Sequence, residues 1–121
     1  MSVEAQLRPG LQNTMNTFLL LLCAHALCDY PLQGDFLAKA KNRFAPIPGV
    51  PWYQAMAAHA AIHAGAVGII TGMWWLGVAE FVWHFAIDDA KCKGHLSFNW
   101  DQGLHVACKV MWAALALALT P

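Results

Sequence analysis

The chain has 121 residues, a length that suits one domain. It is 59% hydrophobic and only 12% charged, against roughly 25% charged in ordinary soluble domains. Its formal net charge is zero, so no basic footprint argues for nucleic acid. The four cysteines, Cys23, Cys28, Cys92 and Cys108, show neither CxxC spacing nor a secreted disulfide framework. Cys28 and Cys108 fall on apolar segments and read as small buried residues of a reducing or membrane compartment.

Residues 1–12 are mostly polar and are expected to form a frayed tail. A first helix is expected over 13–30, with 18–22 as its most apolar part and Pro31 ending it. The run lacks a small-x-small site leading into a polar mature domain, so it reads as a retained helix. A more polar connection follows, carrying Asp35, Lys39, Lys41 and Arg43. A short amphipathic helix at 34–42 suits it, lying at a membrane surface. Pro46, Pro48, Gly49 and Pro51 then make a stiff turn. A second helix is expected over 52–72. Ala57, Ala61 and Gly65, and Ala64, Gly68 and Gly72, place small residues at every fourth position, which lets helices approach closely. A third follows over 73–90, with Trp74, Trp75 and Trp83 towards its ends as an interfacial belt would be. Residues 91–99 read as a polar loop, and a fourth helix covers 100–119. Each of the four is near the ~20 residues needed to cross a bilayer, and the uncharged runs at 18–22 and 110–119 argue for lipid around the bundle. A soluble four-helix bundle with a rich core is the alternative.

One spacing recurs on all four long helices. His25 and Asp29, His59 and His63, His84 and Asp88, and Asp101 and His105 are each four residues apart, which stacks both members on one helix face. All eight are metal-ligand residue types. In an up-down-up-down bundle the first and third helices carry their pairs near their ends, and the second and fourth near their starts. All eight side chains are thereby brought towards one membrane face. His63 fits least well, lying about 16 Å from Trp52 at ~1.5 Å per residue, so the second helix must project further or start a turn later. Lys39, Lys41, Arg43, Lys91 and Lys93 flank this face, whereas the other has only Arg8, which makes it cytoplasmic by the positive-inside rule. Glu80 is one turn below His84, and Lys109 one turn beyond His105. The pair is expected to be in contact beneath the histidines, either as a support for the metal ligands or as a structural ion pair.

Five imidazoles and three carboxylates exceed what one closed tetrahedral zinc site needs, so one or two divalent ions suit them, zinc first. Four-helix bundles with inward His and carboxylate groups are a known way to hold paired metals, and such metals activate water for hydrolysis. Asp29, Asp88 and Asp101 are then the candidate catalytic carboxylates, although Asp101 also suits a helix cap. Gln33, Lys39, Lys91 and Gln102 are candidate substrate-facing or orienting groups beside the ligands. Gln33 and Gln102 also suit ordinary interfacial positions. His95 and Asp89 lie outside the pattern, His95 solvated and Asp89 turned to the loop or to a lysine.

Taken together, His25-x3-Asp29-Tyr30-x-Leu32-Gln33, His59-x3-His63, His84-x2-Ile87-Asp88-x2-Lys91 and Asp101-Gln102-x2-His105 resemble a family of small bacterial and phage membrane proteins. It is catalogued as domain of unknown function 3307, and the resemblance runs from about residue 18 to 115. The chain is also similar to the broader group of inner-membrane metal-dependent hydrolases. The resemblance implies a multi-pass protein of the bacterial inner membrane.

The expectation is thus an all-α, integral membrane four-helix bundle. In it a metal-dependent hydrolase would act on a lipid-like phosphoester or ester near the cytoplasmic face. Membrane lipids are its partners, nucleic acid is not, and a homo-oligomer is compatible. The alternative is a non-enzymatic membrane metal protein: a carrier, a sensor, or a helper whose metal only staples the helices.

Overall fold

The computed structural model describes residues 3–120, and of residues 4–9 the backbone alone. Among the described residues there are five helices and no strand: α1 (Val3–Asp29), α2 (Gly34–Ala40), α3 (Trp52–Thr71), α4 (Trp74–Cys92) and α5 (Phe98–Ala118). The all-α expectation holds, with five helices in place of four. Four are long and α2 is short, on the segment expected to be a short amphipathic helix.

Boundaries follow local chemistry. Helix α1 reaches back to Val3, not to residue 13, because Glu4, Ala5, Gln6 and Leu7 are all good helix formers, polar or not. Pro31 and Gly34, the latter with φ +62°, turn the chain so that α2 lies at 84° to the Gly10–Asp29 part of α1. Pro51, extended at φ −67° and ψ 107°, opens α3, and Gly72 closes it in the left-handed conformation at φ +67°, which an L side chain adopts only with strain. The Ser97 side chain accepts from the Trp100 backbone N–H at 3.2 Å, so α5 begins before the expected residue 100. Ser97 is therefore the cap, and Asp101 is free to turn inward.

Helix α1 packs on α3 and α5, and α4 packs on the same two, so the long helices close a ring while α2 lies against α3. Leu21, Val67, Leu76, Cys108, Trp112, Ala113 and Ala116 form most of the apolar core. Most of that core lies towards the end of the bundle away from the histidines, while Ile87 of the same cluster sits beside His84 and Asp88. The tightest approach is α3 on α4. A Cβ on Gly77 would lie 2.8 Å from the Ala64 carbonyl oxygen and 3.6 Å from Gly68 Cα. The Ala64–Gly68 ridge is thus used as the small-residue spacing suggests. Gly77→Ala should push the two helices apart and destabilise the fold by about 1–3 kcal/mol, measured as a lowered unfolding midpoint. An unchanged midpoint would show that the helices part at no cost.

The outward surface is rich in large apolar groups, among them Leu20, Leu27, Ile69, Trp74, Val78, Trp83 and Val110. Among the described residues no single helix is long and apolar enough to cross a membrane. Gly10–Asp29 and Gly34–Ala40 meet that test only together, as a bent pair. Four separate crossing helices are therefore not seen by this measure. The physical reason is that the inward His, Asp, Glu and Lys residues of α3, α4 and α5 lower the mean hydropathy of each helix, although their outer faces stay apolar.

Candidate metal centre

The four i,i+4 pairs meet. His25, His59, His63, His84, Asp88, Asp101 and His105 are all buried and Asp29 nearly so. For α1, α3, α4 and α5 to bring these positions to one level, successive long helices must run in opposite directions. His63 reaches the level of Asp29 although α3 starts at Trp52 as expected, so α3 overshoots the site at that end. The overshoot is covered by α2 and by Arg43, whose guanidinium carbon lies 5.6 Å from the centre of a Trp52 ring.

One half of the cluster is a four-donor group of Asp29, His59, His63 and His84. Asp29 Oδ1 is 3.3 Å from His59 Nε2 and 3.2 Å from His63 Nε2, and His59 Nε2 is 3.1 Å from His84 Nε2. Two donors that each sit ~2.0–2.1 Å from a tetrahedral ion are about 3.4 Å apart, so these separations suit shared coordination. His63 Nε2, though close to Asp29, is not aligned for a hydrogen bond and has no partner, a costly state for a buried nitrogen. His84 Nδ1 lies 3.2 Å from Glu80 Oε1. A carboxylate only accepts, so the ring proton belongs on Nδ1, and Nε2 presents its lone pair to the cluster. These observations fit a divalent cation.

The other half contains Asp88, Asp101 and His105. His105 Nε2 is 3.0 Å from Asp88 Oδ1 and 3.5 Å from Asp101 Oδ1. Gln102 ties the halves together. Its amide donates to Asp29 Oδ2 at 2.8 Å and to Asp101 Oδ2 at 3.1 Å, and its carbonyl accepts from His25 Nε2 at 3.1 Å.

The expected contact beneath the histidines is present. Lys109 Nζ donates to Glu80 Oε1 at 2.6 Å, and the Trp112 indole donates to Glu80 Oε2 at 2.6 Å. Glu80 and Lys109 are both 1% exposed, so this is a buried pair in which both carboxylate oxygens are partnered. Gln33 donates to the Asp29 carbonyl at 3.2 Å. Lys91 Nζ lies 3.3 Å from Asp101 Oδ2. Beside the cluster a cleft of about 250 Å³ is lined by Asp29, Tyr30, Gln33, Gly34, Asp35, Ala38, Lys91 and Phe98. Of the three candidate catalytic carboxylates, Asp29 lines it, while Asp88 and Asp101 are 2% and 1% exposed.

Lys39 is exposed on α2 and makes no contact with the cluster among the described residues. The lysine that enters is Lys41, two residues on. It is 7% exposed, donates to Gln33 Oε1 at 2.5 Å and also bonds Asp88 Oδ2. Asp89 pairs with Arg43, not with a lysine, through two bonds of 2.8 Å. His95 is exposed, as expected.

Residues 17–121 match the model of the family described as "Protein of unknown function (DUF3307)". The chain belongs to the DUF3307 family. All eight clustered donors lie within the matched span. No curated protein and no solved structure matches the chain, and the description of DUF3307 names no activity.

Proposed function

We propose that the protein is an integral membrane metal-dependent hydrolase of a lipid-like phosphoester or ester, with its centre near the cytoplasmic face of the bacterial inner membrane. The observation that carries this reading is the Asp29, His59, His63 and His84 group beside a cleft that Asp29 also lines. Zinc is the ion this mixed imidazole and carboxylate set suits best. Once bound, zinc supplies Lewis acidity towards water and towards a phosphoryl or carbonyl oxygen. Asp29, which lines the cleft, would hold the ion where water can enter. Lys91, half-exposed at its rim, would receive an anionic head group. The Phe98 ring, 4.7 Å from the Lys91 ammonium, offers an apolar surface beside it. Membrane placement is supported by the apolar outer faces and by the cations of α2 and the two loops at the cluster's end of the bundle.

The near-complete burial of the histidines favours a second reading, in which the metal only staples the helices. Detergent-purified protein should contain zinc by elemental analysis and hydrolyse fluorogenic phosphodiester or carboxylester lipids. A chelator should stop the reaction and added zinc restore it. Bound zinc without turnover of either ester class would leave the structural reading, and protein that neither retains nor takes up a divalent ion would reject both.

A further inference from the structure

The cluster contains a lysine that the pattern of donors does not announce. Lys41 ends α2, folds inward and is buried against Asp88, Gln33 holding a second face of its ammonium. Asp88 Oδ2 also lies 3.3 Å from His59 Nε2 and 3.5 Å from His84 Nε2. Lys41 is thus at the junction between the two halves of the donor set. Resting on the metal-binding reading above, we infer that the protein holds a one-metal centre. A single divalent ion binds to Asp29, His59, His63 and His84, and the Lys41 ammonium serves as the second positive charge, beside Asp88.

Three observations separate the two halves. The Asp29 group offers four donors, enough to hold one ion while leaving water a fifth place, and no lysine is paired with it among the described residues. Both carboxylates of the Asp88, Asp101 and His105 group already carry a lysine, Lys41 on Asp88 and Lys91 on Asp101. A third combination, His25, His84 and His105, borrows His84 from the first group, and its His25 is engaged by Gln102.

Charge points the same way. Glu80 is neutralised by Lys109, which leaves the carboxylates of Asp29, Asp88 and Asp101. One divalent ion together with Lys41 balances these three charges, while Lys91, beside Asp101, is partly exposed and screened by solvent. A second divalent ion would leave a net double positive charge in a buried site, where unbalanced charge is costly. The arrangement also gives Lys41 a part in the proposed reaction. A fixed ammonium beside the ion supplies the second positive contact that a phosphoryl group takes from the other ion in two-metal sites.

Full-length protein stripped by chelator is titrated with zinc sulfate alone, against a competing chromophoric chelator. Wild type should saturate at one ion per chain, Lys41→Arg likewise, and Lys41→Met at two, the second ion taking Asp88, Asp101 and His105. Two ions in wild type, or one in Lys41→Met, would overturn the one-metal inference while leaving the hydrolase reading intact. No zinc in any of them would overturn both. Should Lys41→Met not fold, Asp88→Asn decides. Asp88 is here the lysine's partner and not the ion's, so this variant should keep its one ion with less than a tenfold change in affinity, and loss of that ion would overturn the inference.

Discussion

His63→Ala is expected to remove the bound ion and the hydrolysis together. His63 Nε2 has no hydrogen-bond partner, so the truncation takes away a donor aimed at the ion and disturbs little hydrogen bonding. Loss of one donor from a set of four should cost affinity well beyond the ~10–100-fold typical of groups that only support ligands. Gln102→Ala supplies the comparison. It removes the link among Asp29, Asp101 and His25 and should fall within that smaller range. Zinc competition titration reads both, with circular dichroism confirming that the helices persist. Wild-type affinity in His63→Ala would refute the assignment of this half of the cluster.

Lys109→Met is the variant expected to cost the most stability. It strands the Glu80 carboxylate at a position 1% exposed, with only Trp112 and His84 left to satisfy it. Breaking a buried pair from one side costs about 3–5 kcal/mol, whereas replacing both members is often close to neutral. The double variant Glu80→Gln with Lys109→Met should therefore recover part of the loss, because it removes the stranded charge, although the amide oxygen can accept from only one of Trp112 and His84. Unfolding midpoints of wild type, both single variants and the double variant form the test cycle. Strictly additive losses would mean that the two residues are not energetically coupled.

Much of the candidate site could be read from spacing. A donor pair at i,i+4 states which helix face is inward, and alternating helix direction states at which end each pair lies. Together they place His25, His59, His84 and His105 at one level without any knowledge of packing. The same logic finds Glu80 opposite Lys109. Boundaries marked by special backbone chemistry were also legible, such as Pro51 before α3 and Gly72 after it. What could not be read had no periodicity to carry it. Lys41 sits in a connection rich in cations, where composition suggests a solvated residue, and only the sharp turn between α1 and α2 brings it inward. The matched doublets Lys41-x-Arg43 and Asp88-Asp89, which pair in order, were the one available hint. Helix α1 ran past its apolar stretch because helix propensity and hydropathy are separate properties. The α5 start was misplaced because Ser97, a good cap, precedes the first apolar repeat.

The donors of this centre come from α1, α3, α4 and α5, and the final one is His105. The four proposed to hold the ion lie on α1, α3 and α4 and end at His84, so no portion of the nascent chain that stops short of that histidine carries the set, however well its own helices form. Loading with metal would therefore report that synthesis has passed most of α4, and would not wait for α5. A product cut before α5 would keep these four donors but lose the Gln102 bond that holds Asp29, and would leave the flanks of α1 and α4 bare.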